Sequence, residues 1–180
     1  MSRIAHQPPI VESPYPAPLQ QARLRLADEA ATAALAARLA AAAAIDQAQL
    51  HLQGDLGAGK TTLVRHLLRA LGVQGRIKSP TYAVLEPHPL PPSARWPAGL
   101  AVSHFDFYRF EDPREWEDAG FRELFAAPGL KLVEWPTRAG PALPCPDLDM
   151  TLTTLPDDQR ELDLRAHSPR GRQLLQAALA

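Results

Sequence analysis

The sequence predicts a three-layer α/β domain with a mixed, mainly parallel central sheet and a C-terminal hairpin, and three observations carry that reading. An alternating apolar run, a glycine-rich loop and a helical apolar stripe follow one another over residues 48–71. Strand-like and helix-like segments go on alternating through residue 135, as a wound α/β sheet requires. Beyond them, residues 150–155 and 161–165 alternate apolar side chains across Pro156-Asp157-Asp158-Gln159, the pattern of a hairpin. With 180 residues and 19.6 kDa, the chain suits one domain around a single core.

Residues 1–21 read as a mobile, proline-rich extension, with Pro8, Pro9, Pro14, Pro16 and Pro18 and no signal-peptide apolar core. The folded domain is expected over 22–180. Residues 22–27 read as a strand, and Asp28 as the N-cap of an alanine-rich helix reaching about Ala44, with Leu35 and Leu39 inward. The strand 48–53 leads into Gly54-Asp55-Leu56-Gly57-Ala58-Gly59-Lys60-Thr61. Leu63, Val64, Leu67, Leu68 and Leu71 then mark a helix that Gly72 stops. Ser79-Pro80-Thr81 interrupts the chain before a strand at 82–86. The proline-studded stretch that follows reads as a surface insertion over 87–99. A strand at 100–106, a helix at 114–126 broken at Gly120, and a strand at 130–135 ended by Pro136 come next. Ser168-Pro169 opens a short last helix.

The loop at 54–61 has the spacing of a phosphate-cradling P-loop, and its strand and helix neighbours supply the context that the motif needs. Gly57, Ala58, Gly59, Lys60, Thr61 and Thr62 are therefore candidates for nucleotide binding. The glycines bring backbone N–H groups up to phosphate oxygens at a helix N-terminus, Lys60 reaches the outer phosphates, and the Thr61 hydroxyl faces Mg²⁺. Two carboxylates end apolar strands, Asp106 and Glu134. In an open α/β sheet they would converge on the side where the loop emerges, although each also reads as a solvated strand end or a helix cap. Thr81 reads equally as a γ-phosphate-reporting threonine or as a turn hydroxyl that caps local backbone. His104 reads as a packed strand histidine, Tyr108 and Arg109 as contacts to phosphate, partner or solvent, and Trp135 as core or interface packing.

Charge and cysteine content narrow the classes further. Nineteen basic and twenty acidic residues leave a formal charge of −1, which argues against autonomous binding to a nucleic-acid backbone. The single Cys145 excludes an internal disulfide framework and a multi-cysteine zinc site, so a cytoplasmic location is expected. No apolar run approaches the ~18 residues of a membrane span. The chain contains no asparagine, and so no Asn-Lys-x-Asp guanine-reading motif, which favours ATP over GTP. From these residues alone the open readings are an ATPase, a kinase acting on a metabolite or protein, and a nucleotide-gated binding module.

Four ordered motifs sharpen the choice: Gly54-Asp55-Leu56-Gly57-Ala58-Gly59-Lys60-Thr61-Thr62, Ser79-Pro80-Thr81-Tyr82, His104-Phe105-Asp106-Phe107-Tyr108-Arg109 and Leu132-Val133-Glu134-Trp135-Pro136. Together, over about residues 24–166, the chain resembles the bacterial TsaE (YjeE) family, the ATPases of tRNA threonylcarbamoyladenosine synthesis. Asp112-Pro113 with Glu115, Glu117 and Gly120 adds to the likeness. The resemblance implies a seven-stranded mixed sheet, the cofactors ATP and Mg²⁺, and weak hydrolysis that resets a TsaB–TsaD complex, whose TsaD-type member transfers the carbamoyl group to position 37 of tRNAs reading ANN codons. It implies that the tRNA is met only through the partners. It also implies phosphate binding by Lys60, Mg²⁺ binding by Thr61 and Glu134, and γ-phosphate sensing or activation by Thr81 and Asp106. Trp135 would shape the site, and Asp28, Glu29 and Arg160 would lie near the base. The 87–97 segment and the N-terminal extension have no counterpart in the family pattern.

Overall fold

In the computed structural model, which describes residues 15–180, seven strands form one sheet in the order β1-β7-β6-β2-β5-β4-β3. These are β1 (Gln20–Leu26), β2 (Gln49–Gln53), β3 (Leu85–Pro87), β4 (Val102–Asp106), β5 (Leu130–Glu134), β6 (Leu148–Thr154) and β7 (Arg160–Ala166). Neighbours β6, β2, β5 and β4 pair in parallel, and β7, β1 and β3 join by antiparallel pairing. Because β1 is antiparallel to β7, it points the same way as the central four, so the sheet is mixed and mainly parallel, as expected. The hairpin is the β6–β7 pair.

Strand alternation divides the side chains between two helical layers. Leu50 and Leu52 of β2 and Leu130 and Leu132 of β5 join the larger core, beneath α1 (Glu29–Ala41), α2 (Lys60–Leu71) and α5 (Pro169–Leu179). Phe105 and Val133 face the other way and meet Phe110, Trp116 and Leu143 under α3 (Arg114–Asp118), α4 (Phe121–Ala126) and the turns at 136–142. The ring contacts Phe105–Phe125 at 4.8 Å and Phe107–Phe110 at 4.9 Å fix this smaller core around the end of β4.

Several boundaries differ from the sequence reading for identifiable reasons. The alanine-rich helix ends at Ala41 rather than near Ala44, because Ala42 turns extended and Ile45 drops into the core through a 3₁₀ segment. Poly-alanine carries no stop signal of its own. Part of the stop comes from Arg95, which donates to the carbonyls of Ala40 at 2.5 Å and Ala42 at 3.1 Å. The 87–99 segment is thus tied to α1, and it prolongs the β3–β4 hairpin through the Leu90–Leu100 bridge. The strand expected at 82–86 begins only at Leu85: residues 81–83 turn, and Val84 holds a left-handed φ of 67° while its carbonyl accepts from the Asp106 amide. Of the extension read over 1–21, residues 1–14 lie outside the described residues. Tyr15 already contacts His51, and Gln20 and Gln21 belong to β1, so the ordered part of the domain starts before residue 22.

His51, on β2, is fully buried opposite the larger core, with the Tyr15 hydroxyl 2.6 Å from its Nδ1. Burial, then the nearby His167, lowers its pKa from 6.5 to about 3. As pH falls below 6.5 the unfolded chain takes up this proton and the folded chain does not, so this group's contribution to stability is complete above 6.5 and is lost progressively down to about 3. The loss reaches at most about 1.4 kcal/mol per pH unit. Buried Asp149, whose carboxyl is raised chiefly by burial, acts in the opposite sense. Denaturant unfolding of the parent and His51→Gln between pH 7 and 4 is expected to show the parent losing stability more steeply; parallel curves would refute it.

Candidate functional site

The glycine-rich loop leaves the carboxyl end of β2 at the centre of the sheet and runs into α2. Gly54 has φ of 133°, and a Cβ there would lie 2.3 Å from the Leu152 carbonyl oxygen, so only glycine lets the loop pass β6. Gly59 takes φ of 106° and caps α2 without a side chain, which leaves the first amides of the helix with no side-chain acceptor at that cap. Lys60 is the first helical residue. Its ammonium donates to the carbonyls of Gly54 at 2.6 Å and Asp55 at 2.9 Å and lies 4.1 Å from the centre of the Trp135 ring. Burial lowers its pKa below the usual lysine range, against the attraction of Glu134, Asp106 and Asp55.

Two pairs of oxygen groups line the same cavity. The Thr61 hydroxyl lies 3.0 and 2.8 Å from the two Glu134 carboxylate oxygens. The Thr81 hydroxyl donates to Asp106 Oδ2 at 2.8 Å and contacts Ser79 Oγ at 2.7 Å, while the Tyr108 amide donates to Asp106 Oδ1 at 2.9 Å. Asp106 and Glu134 are register partners at the ends of adjacent parallel strands. The enclosing cavity of 220 Å³ is lined by Leu56, Gly57, Gly59, Lys60, Thr61, Thr62, Thr81, Asp106, Tyr108, Glu134 and Trp135. Hydroxyl and carboxylate oxygens meeting beside a lysine are the donor chemistry that suits a hard divalent cation, and Thr61 and Glu134 are the residues that could hold one. Among the described residues no cluster of three His, Cys, Asp or Glu gathers as a separate metal centre.

A second cavity of 150 Å³ opens behind the loop, lined by Leu26, Asp28, Glu29, Thr32, Ala58, Gly59, Thr62, Leu152, Asp158 and Arg160. The three residues suggested near a base, Asp28, Glu29 and Arg160, meet here. Asp28 also caps α1 by accepting from the Ala31 amide at 2.8 Å, Glu29 lies 2.9 Å from His66 Nε2, and Arg160 Nε donates to the Ala58 carbonyl at 3.0 Å. Gly59 and Thr62 border both cavities, so the loop stands between the two spaces.

Apart from His104 and from Arg109, whose guanidinium lies 4.1 Å from the centre of the Tyr82 ring, the candidate residues line these two cavities. The Thr81 hydroxyl bonds the Asp106 side chain and the Ser79 hydroxyl of its own turn. His104, read from the sequence as a packed strand histidine, is buried, and what that reading missed is its Nε2 lying 2.8 Å from the buried Glu134 Oε1. Its signal was present: two residues before Asp106 on a strand, it shares that residue's face. Leu56, exposed at the loop's tip, was also missed, and nothing in its spacing marked it. Trp135 has a left-handed φ of 56°, which turns its ring from the strand line over Lys60.

The comparisons agree with this geometry. The family model described as threonylcarbamoyl adenosine biosynthesis protein TsaE matches residues 26–162. Two relatives named tRNA threonylcarbamoyladenosine biosynthesis protein TsaE are similar over most of their length. The one from Haemophilus influenzae is 38% identical over 71% of this chain and 76% of its own. The one from Bacillus subtilis is 34% identical over 82% and 87%. The crystal structure of Bacillus subtilis YdiB superposes with a TM-score of 0.70 at 27% identity, covering 89% of this chain and 95% of that one. With a P-loop in the same α/β frame and a family match spanning both carboxylates, the chain belongs to the TsaE family of threonylcarbamoyl adenosine biosynthesis proteins.

Proposed function

We propose that this chain is a Mg²⁺-dependent ATPase subunit for formation of the threonylcarbamoyl group on adenosine 37 of tRNAs reading ANN codons. It acts in the cytoplasm with TsaB- and TsaD-type proteins and meets tRNA through them. The observation that carries the reading is the convergence of Thr61–Glu134 and Thr81–Asp106 around Lys60, in a chain of the TsaE family. Among the described residues no helix is long and apolar enough to cross a membrane.

The residues divide the work by position. Amides of Gly57, Ala58, Gly59 and Lys60 receive phosphate oxygens, and the Lys60 ammonium exchanges the carbonyls of Gly54 and Asp55 for the outer phosphates. Thr61 and Glu134 would hold Mg²⁺, which would supply positive charge to offset that of the phosphate oxygens. Asp28, Glu29, Thr62 and Arg160 border the space for the base and ribose. Asp106 has one oxygen fixed by the Tyr108 amide and the other by Thr81, so it can orient a water and take its proton as the water oxygen attacks the γ-phosphorus and the bond to the bridging oxygen breaks. Trp135 closes the phosphate space from above.

The family role is tested by deleting the gene and measuring threonylcarbamoyladenosine in tRNA by nucleoside mass spectrometry: loss is expected, and a normal level refutes it. Incubation with γ-labelled ATP separates the chemistry, since free phosphate stimulated by the partner pair supports the ATPase whereas label on an acceptor supports a kinase. Lys60→Ala is expected to remove a charge-assisted contact of ~1.5–3 kcal/mol, seen by calorimetry as weaker ATP binding. Asp106→Ala is expected to keep ATP affinity and lower turnover by roughly a hundredfold or more; phosphate release equal to the parent's would take Asp106 out of the mechanism.

A further inference from the structure

Glu134 is held from two sides. Thr61, on α2, reaches both of its oxygens, and from β4 the His104 ring meets Oε1 at 2.8 Å. Both His104 and Glu134 are closed off from solvent, with side-chain exposures of 0% and 2%. The β4–β5 register pairs His104 with Leu132 and Asp106 with Glu134, so the imidazole rises on the same face as the two carboxylates, one step behind them. A metal-binding carboxylate fixed only by Thr61 would turn about its own side chain when that hydroxyl is drawn to a cation. A second donor, from a different element, keeps one oxygen in place and leaves the other aimed at the cavity.

The rest of the ring's surroundings choose its tautomer. His104 Nδ1 is buried and lacks a hydrogen-bond partner among the described residues. The His88 ring stands 6.4 Å away, centre to centre, with its own buried Nε2 likewise unpaired. A bare Nδ1 lone pair is tolerated there better than a stranded N–H, because buried donors are the more costly to orphan. Nε2 then carries the proton and donates it to Glu134.

The geometry points to His104 as a positioning residue that sets the Glu134 carboxylate for the divalent cation. The inference rests on the reading of Glu134 as a metal ligand. It concerns no contact between His104 and nucleotide: the ring lies behind the carboxylate and acts through it.

The test measures ATP binding by calorimetry with and without Mg²⁺, in the parent, His104→Phe and His104→Gln. Phe keeps a ring of similar volume and removes the donor; Gln offers an amide N–H. The expected result is unchanged metal-free affinity in all three, a 10–100-fold smaller Mg²⁺-dependent gain in His104→Phe, and recovery of most of that gain in His104→Gln. An undiminished gain in folded His104→Phe overturns the positioning role alone, as does an equal loss with and without the metal, which a merely structural role would give. No Mg²⁺-dependent gain in the parent overturns the metal-site reading itself. A measurement on the unsubstituted chain keeps the question open to refutation if His104→Phe does not fold. In ¹⁵N NMR, His104 is expected to carry its proton on Nε2, and that resonance is expected to move when Mg²⁺ is added to the ATP-loaded protein; a proton on Nδ1, or no movement, overturns the inference.

Discussion

The parallel pairing of β4 with β5 is the constraint on which the site depends. It brings Asp106 level with Glu134 at the carboxyl ends of neighbouring strands, and β2 delivers the glycine-rich loop beside them. The two carboxylates and the loop thus hang from three adjacent strand ends joined in one ladder, and Thr81 reaches Asp106 from the turn before β3. Two buried carboxylates beside each other repel, and each is offset differently. Glu134 has the Thr61 hydroxyl and His104; Asp106 has Thr81 and the Tyr108 amide; Lys60 attracts both. The site is thus organised so that no carboxylate oxygen turns freely, which is what a preorganised electrostatic site requires.

The two cores serve this arrangement unequally. The larger, leucine-rich core anchors α1, α2 and α5 and so sets where the loop ends and α2 begins. The smaller aromatic core sits under the turn that follows β4, where Phe107 and Phe110 bracket Tyr108 and Arg109. Asp106 is therefore backed by a cluster of tilted, packed rings, which holds the turn that aims the Tyr108 amide at its carboxylate.

Most of this was legible in the sequence because it rests on local chemistry. A glycine-rich loop between a strand and an amphipathic helix identifies itself, and apolar strands that end in Asp106 and Glu134 announce carboxylates on the functional edge of an α/β sheet. Residues governed by distant partners were less legible. The end of α1 follows from the burial of Ile45 and from Arg95, more than fifty residues on, which alanine periodicity cannot express. The 82–86 strand was overextended because Val84 favours strands by propensity, while its carbonyl bond to the Asp106 amide holds it in a left-handed turn. The bond from His104 to Glu134 was not legible, because sharing a face with Asp106 does not name what a strand histidine meets across the sheet. Only the β4–β5 register reveals Glu134.

The indole of Trp135, turned out of its strand by a left-handed backbone, rests on the Lys60 ammonium at 4.1 Å. A cation this close to an aromatic face is attracted by the ring's quadrupole, so whatever draws Lys60 away changes the electrostatic environment of the ring. Of the other two tryptophans, Trp116 is sealed in the aromatic core and Trp96 lies in the 87–99 segment against Arg95. The cavity thereby carries an intrinsic chromophore whose immediate surroundings change with the position of the lysine.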